Sequence, residues 1–587
     1  MIWDLSQLVQ NSDPALIQEK LNSMVAEIEK IRDLYHSKIG NLDANSILKL
    51  LETKDALFLK YESVYLYCRL IYSADSTDAV AKKLNDAARR AFMKVKQALV
   101  FIDLELGKLL VENPSLVKNP VLAEYKHYLE RILRSVPYML SEIEERLIIT
   151  KDKNGINAWQ MLQNDWLSTR AFEIEIEGKL KTLPYGRIIS LFQSPDRVLR
   201  RQANQIVYKS LGMDEIIWAS AVRAVSEDHL QMCKLRKHPT PMTQSLVDND
   251  VNQPIVESLM RTIRKNVKLY QKYLKLKAKL MGLDKLGNYD IVAPLPHAPK
   301  MDFAWGEARR ENVDAYREFD EETGGWVDEM FEKRHIDGEV RKGKRSGAFC
   351  ADWQTGKSAY ILQSFNKKLG DVYTLAHELG HAIHAYLGSR AQKPSNLELG
   401  MCIAETASKF GELLMTERLL SKARSKEEKQ AILVSVLDKF GMTAFQVSAR
   451  VLFEQSMYES IKQGEFLDGN TVAKLWVKAR DTIYGDSVEW LDVMKWEWTM
   501  KQHYYIANFR FYNYPYVFGQ LFVFALYRLY KEEGKAFAPK LKRLLAAGSS
   551  KSPQELAAEV GFQIDEKLWE KGMKQAEEFI NLLEETL

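Results

Sequence analysis

Only four of the 587 residues are cysteine, at Cys68, Cys233, Cys350 and Cys402. None forms a CxxC pair. A disulfide scaffold and a thiolate zinc module are therefore excluded, and a reducing compartment is expected. Charge of one sign is also missing. The 83 Lys and Arg offset 79 Asp and Glu, leaving a net charge of +4. That balance is too even for binding nucleic acid through bulk electrostatics. Long apolar runs are absent as well. The most apolar stretch, Tyr514 to Tyr527, is about 14 residues where a bilayer needs about 20, and Gly519 and Gln520 interrupt it. It reads as a buried core helix. The opening Met-Ile-Trp-Asp-Leu-Ser has neither the basic nor the apolar region of a secretory signal. These absences predict a soluble, cytoplasmic chain with no membrane and no nucleic-acid partner.

What is present is mostly helical periodicity. Pro14 to Lys38 spaces Leu21, Val25, Ile28 and Ile31 at helical intervals. Ala56 to Tyr72 and Asp78 to Lys108 read as further helices, the last capped by Asp78. Phe172 to Glu177 alternates apolar and acidic residues, and Leu180 to Leu183 follows Gly178, which predicts a β-hairpin. Helices resume from about Asp196 to Leu280. Between Gly282 and Gly347 the many Gly and Pro predict loops with short helices. Beyond it the chain is helical again, apart from Ser358 to Phe365, an apolar strand at the edge or in the interior of a sheet. The expected organisation is a helical region 1–112, a segment 113–200 with the hairpin, and a domain 201–587.

Three of the ten His lie within the run His377-Glu378-Leu379-Gly380-His381-Ala382-Ile383-His384. HExxH on a helix puts His377 and His381 one turn apart on one face, where both imidazoles reach a single Zn²⁺. Glu378 lies beside them and is suited to take a proton from a water molecule. Asp371 is expected to cap this helix and Gly388 to end it. Leu375, Leu379, Ile383 and Tyr386 form a separate apolar stripe. Gly380 in mid-helix costs roughly 1 kcal/mol against Ala, which close approach of another segment would explain.

Zinc hydrolases use a third protein ligand. His384 lies about 10 Å along the helix axis from His377, too far for one ion, and suits a supporting role. A helix expected from about Asn396 to Ala423 carries Glu398, Glu405, Glu412 and Glu417. Glu405 lies off its apolar stripe, among the small residues of Ala404-Glu405-Thr406-Ala407-Ser408, so it is the favoured ligand. Glu398 and Glu412 fit hydrogen-bonding or surface roles.

With these residues in place, the chain resembles the M3 family of zinc oligopeptidases, its oligoendopeptidase F subgroup above all. The likeness rests on His-Glu-Leu-Gly-His followed by Glu405 in Ala-Glu-Thr-Ala-Ser. It extends to Lys277-Ala278-Lys279-Leu280-Met281-Gly282, Tyr289-Asp290, Ala293-Pro294-Leu295, Arg345-Ser346-Gly347-Ala348-Phe349-Cys350 and Gly548-Ser549-Ser550-Lys551-Ser552-Pro553. The resemblance implies a mainly α, zincin-like (gluzincin) fold with a small β-sheet near the active site and two lobes around a deep substrate channel. It implies one Zn²⁺ per chain, held by His377, His381 and Glu405, and short peptides as substrates of a monomer or weak homo-oligomer. In the segment from His503 to Tyr516 the family uses a His and Tyr residues to stabilise the oxyanion of peptide hydrolysis. His503 fits that role, with Tyr505 and Tyr512 as candidates and Tyr514 as a rival. Tyr504 and Tyr516 read as core. A metallocarboxypeptidase or dipeptidase on the same scaffold is one alternative. A non-catalytic peptide-binding protein is the other. Gly347-Ala348 reads either as a glycine loop close to substrate or as a plain turn.

Overall fold

The computed structural model describes residues 1–587, the side chain of Glu142 excepted. Helices dominate, as the periodicity predicts. Pro14–Tyr35, Ala44–Ala74 and Ala79–Glu112 form the N-terminal helices. Asp78 caps the third by accepting the Ala81 N–H at 2.7 Å. Their apolar stripes meet in one core that includes Ile28, Ile31, Ile47, Leu51, Ile102 and Leu106. The chain divides into two compact units. One comprises Met1–Pro137, Lys300–Ser421 and Leu529–Gln563. The other comprises Tyr138–Pro299, Lys422–Arg528 and Ile564–Leu587.

Seven short strands form three sheets. β1 (Ala171–Ile176) and β2 (Lys179–Pro184) make the predicted antiparallel hairpin, turning through Glu177 and Gly178 at positive φ. β3 (Leu286–Gly287) is paired in parallel with Val488–Glu489 (β7). In the first unit, β4 (Ile336–Asp337), β5 (Phe349–Trp353) and β6 (Ser358–Leu362) form a sheet of order β4-β6-β5. The apolar strand read from Ser358 is therefore the central one, shorter than expected, and β5 is the edge. The run Ala359-Tyr360-Ile361-Leu362 is wholly buried, as a strand paired on both sides must be. Lys344 ties this sheet to the loop before β5. Its buried ammonium donates to the Asp337 and Glu339 carbonyls, the Gln363 carbonyl and the Asp337 carboxylate.

The Gly- and Pro-rich stretch is more regular than its composition predicts. Trp305–Phe319 and Glu321–Glu332 are full helices, and Gly324 and Gly325 lie inside the second. A Cβ on Gly324 would meet Arg317 Cα at 2.6 Å. Glycine here permits close packing of consecutive helices. Trp326 projects from this pair onto Tyr386, with ring centroids 4.2 Å apart. Tyr514–Glu533 is the buried core helix expected. Lys426–Lys462 is long and apolar enough to cross a membrane by length and composition, but 67% of its most apolar window is buried inside the protein.

Candidate metal centre

The HExxH run lies on one helix, Leu369–Ala391. Its stripe of Val372, Leu375, Leu379 and Ile383 is buried, while His377 and His381 keep about a quarter of their side chains exposed. Two details of the helix ends differ from expectation. Lys368, not Asp371, occupies the N-cap. Asp371 sits one turn in, and its carboxylate accepts the backbone N–H of Asn366 at 2.7 Å and of Lys368 at 2.9 Å. Gly388 does not end the helix. Its carbonyl accepts the Gln392 N–H at 2.8 Å, and Pro394 stands just beyond. Tyr386 lies outside the fully buried stripe, covered by Trp326.

Glu405, the expected third ligand, is presented by a break rather than a continuous helix. Met401–Ala404 and Thr406–Lys422 are separate helices, and Glu405 is the hinge residue at φ −92°, ψ 8°. The expected helix from Asn396 to Ala423 is corrected accordingly. Gly400 is the N-cap of the short helix, in an extended conformation, after the turn Pro394–Asn396. Two glycines let the partner helices touch. A Cβ on Gly380 would lie 2.3 Å from the Ala407 carbonyl and 2.6 Å from Ser408 Cα. A Cβ on Gly411 would lie 2.7 Å from the Ala376 carbonyl. The close approach inferred from a costly mid-helix glycine is thus present, and it is reciprocal.

The outcome is a compact donor set. Oε2 of Glu405 lies 3.3 Å from Nε2 of His377 and 3.6 Å from Nε2 of His381. A tetrahedral ion bound at about 2.1 Å would set its donors about 3.4 Å apart, so these residues fit a zinc ion. Among the described residues, this is the group of His, Cys, Asp and Glu whose ligand atoms all lie within 4.8 Å of one another. Ser408 donates its hydroxyl to Oε2 of Glu405 at 2.7 Å, fixing the carboxylate. Nδ1 of His377 donates to Oε1 of Glu412 at 2.8 Å, leaving Nε2 with the lone pair a metal needs. Thr416 donates to the Glu412 carbonyl at 2.8 Å, one turn further on.

Electrostatics agree with that assignment. Burial favours the neutral forms throughout. For His377 the Glu412 hydrogen bond and the surrounding carboxylates outweigh it and raise the pKa. Burial dominates for His381, pushed down to about 4 against the pull of Glu405. Burial would raise Glu405, but His381, His377 and Ser408 hold it below its ordinary value. Glu378 is 6% exposed, and burial pushes it up to about 7, with His377 opposing and Glu405 adding. The Cys350 N–H on edge strand β5 bonds this carboxylate. A carboxyl raised toward neutrality beside a metal donor set is suited to moving protons. His384 is buried and held neutral, with burial pushing its pKa down to about 4. It is packed within the protein and is no ligand. Gly347, at φ 84°, lies in the bend before β5 with open space where a Cβ would be.

The second unit carries the histidine and tyrosines. His503 sits in a short turn, Gln502–Tyr504, with its ring 5.1 Å from Tyr512 and 6.3 Å from Tyr516. Tyr512 and Tyr516 are 5.2 Å apart, and all three are half-buried. Tyr505 is fully buried, its hydroxyl donating to the Thr499 carbonyl at 2.9 Å and its ring edge-on to Trp218. Tyr514 is also buried, donating to the Ser245 carbonyl at 3.0 Å. The structure therefore gathers Tyr512 with His503 and leaves Tyr505 and Tyr514 in the core. Tyr516, read from sequence as core, joins the half-buried group. The sequence held no helical signal for this pairing, since Tyr512 precedes the helix that begins at Tyr514. Burial pushes the His503 pKa down to about 4, helped by the charges of Arg450, Lys501 and Arg510, so the ring is neutral near pH 7.

Two histidines and a glutamate at tetrahedral spacing, with a raised glutamate alongside, define a zincin-type metallohydrolase centre. Comparison with known proteins narrows this class. The model for peptidase family M3 matches residues 190–574, and the model described as Oligopeptidase F matches residues 114–170. The chain belongs to peptidase family M3. It is similar to group B oligopeptidase PepB of Streptococcus agalactiae, 27% identical over 572 residues, covering 95% of this chain and 92% of the relative. Oligopeptidase PepF of Bacillus subtilis is 25% identical over 561 residues, covering 94% and 82%. A solved structure from Chlamydophila abortus matches 100% of this chain and 98% of its own, with TM-score 0.89 and 20% identity. Oligoendopeptidase-F from Enterococcus faecium matches over 97% and 98%, with TM-score 0.69 and 22% identity. The mainly helical fold and the peptidase class read from the sequence are thereby borne out.

Proposed function

We propose that this peptidase is a zinc-dependent endopeptidase of short oligopeptides. His377, His381 and Glu405 hold one zinc ion, and Glu378 moves the proton. The observation that carries this reading is the spacing of the three donor atoms, 3.3 and 3.6 Å from Glu405 to the two imidazoles, beside a carboxyl raised to about 7. A zinc ion held there supplies Lewis acidity, which acidifies water and polarises the scissile carbonyl. Glu378 accepts the proton of the attacking water and passes it to the leaving amine. Glu412 and Ser408 keep His377 and Glu405 oriented toward the ion. His503 and Tyr512 act as oxyanion donors, the role the family resemblance implies, with Tyr516 beside them. Tyr505 is left out of this set, because its hydroxyl is already engaged in the core.

The oligopeptide range is supported by the names of the curated relatives, PepB and PepF among them. A cytoplasmic location belongs to the same reading and is supported by four unpaired cysteines. Residues 201–587 act as the catalytic domain, an assignment supported by the span of the M3 match. Glu378→Gln tests the mechanism. It should bind zinc normally and lose about a thousandfold in kcat on an internally quenched peptide. Wild-type turnover with zinc bound would sink it. Peptides blocked at both termini separate an endopeptidase, which cleaves them, from a carboxypeptidase or dipeptidase, which does not.

A further inference from the structure

The segment that carries His503 and Tyr512 has little regular structure of its own. After the turn Gln502–Tyr504 it runs irregularly to Asn513, where the next helix begins. Its peptide groups need partners from elsewhere, and two buried charged side chains supply them. Arg510 is 7% exposed. One of its terminal nitrogens donates to the Tyr504 carbonyl at 3.0 Å and the other to the His503 carbonyl. Its Nε lies 3.9 Å from Oε1 of Glu454, which is 2% exposed. The same oxygen accepts the backbone N–H of Phe511 at 2.8 Å. Phe511 is held at φ 55°, a left-handed conformation that a bulky residue adopts only under constraint. Its ring stacks on Tyr458 with centroids 5.2 Å apart. Glu454 and Tyr458 are one turn apart on the helix Val447–Lys462, so one helix face pins the loop by a carboxylate and by a ring.

A buried ion pair is a poor way to gain stability, since apolar residues of similar volume often do better. What this pair does gain is geometry. The planar fork of Arg510 joins the carbonyl of His503 itself to the residue before Phe511, and Phe511 precedes Tyr512. The His503 carbonyl and the Phe511 N–H, next to Tyr512, are thus both held by a single Glu–Arg unit. We propose that Glu454 and Arg510 are positioning residues for the peptidase reaction, clamping the loop so that the His503 and Tyr512 donors are preset. This rests on the reading of His503 as an oxyanion donor, a group that must be held within about 0.5 Å of its working position.

The experiment uses the full chain with zinc bound and an internally quenched oligopeptide. Arg510→Lys keeps the charge and loses the fork. Glu454→Gln keeps an acceptor for Phe511 and loses the charge. Each is made alone and together with His503→Ala, with kcat, KM, zinc content and melting temperature measured. Each single change should lower kcat by about 100-fold, as expected for displacement of a catalytic group by roughly 1 Å, with KM and zinc content nearly unchanged. On the His503→Ala background each should cost no more than about 10-fold, the part that acts through Tyr512, because groups acting as one unit are not additive. Wild-type kcat in Arg510→Lys, or a loss that multiplies in full with that of His503→Ala, overturns the clamp. If Arg510→Lys does not fold, Glu454→Gln decides by the same criteria. Failure of the underlying reading shows separately, as undiminished kcat in His503→Ala alone.

Discussion

Nδ1 of His377 lies 2.8 Å from Oε1 of Glu412, seven residues after Glu405 on the partner helix. The helix break and the helix that follows it therefore bring a carboxylate to each side of the same imidazole. Glu405 faces Nε2 and Glu412 faces Nδ1. The second contact selects the tautomer that frees Nε2. Glu412→Gln should leave the fold intact and weaken zinc binding by about 10- to 100-fold. Competition with a chelating dye measures it. Unchanged zinc affinity would show that Glu412 does not orient the ligand.

Gly380 has no room to grow. Its Cβ would collide with backbone of the partner helix, not with a flexible side chain. Gly380→Ala should destabilise the protein by about 1–3 kcal/mol through overpacking, despite the better helix propensity of Ala. It should also lower zinc affinity, because Glu405 lies two residues before the contact. Thermal unfolding with and without zinc reads both effects.

Asp337 is buried with Lys344 and Arg341. Burial alone would raise its pKa, but the bonds to Arg341 and Lys344 outweigh that and hold it below the ordinary value. Its contribution is complete above the unfolded pKa of about 3.9 and is lost as the pH falls through the lower folded value. Asp337→Asn should cost about 3–5 kcal/mol at pH 7, since it leaves Lys344 buried and unpaired. The gap from wild type should narrow below about pH 4. Melting curves from pH 3 to 7, as an approximate range around that pKa, check the sign.

His503 titrates near 4 in the folded protein. Burial and three nearby cations keep it neutral through the usual assay range. The ratio of wild-type to His503→Gln kcat/KM should therefore stay constant between about pH 6 and 8, since an unshifted His would titrate near 6.5. A ratio that changes tenfold across that interval would show a charged imidazole at work.

Much of the metal centre was legible because it is local. An i, i+4 pair of histidines shares a helix face whatever surrounds it, and a mid-helix glycine announces a close neighbour. The ends of that helix were less legible. Asp371 and Gly388 are residue types that favour caps; Asp371 closes a capping box from the third helical position, and the helix runs past Gly388 to Ala391. Glu405 stood out among four acids by its small neighbours, but the helix break that presents it was not visible.

The tyrosines show the limit most clearly. Five tyrosines between residues 504 and 516 are chemically equivalent in the sequence. Only packing against Trp218, Ser245 and Thr499 buries Tyr505 and Tyr514 and leaves Tyr512 and Tyr516 beside His503. Likewise, β6 is the central strand because β4 and β5, both just before it in the chain, pair on its two sides. What the sequence determined by itself was helix periodicity, the ligand motif and the absence of disulfides, all set within a few turns of chain. The tertiary structure alone decided which tyrosines are buried in the core and which lie half-buried beside His503, because the burial comes from side chains distant in the chain, such as Trp218 and Ser245.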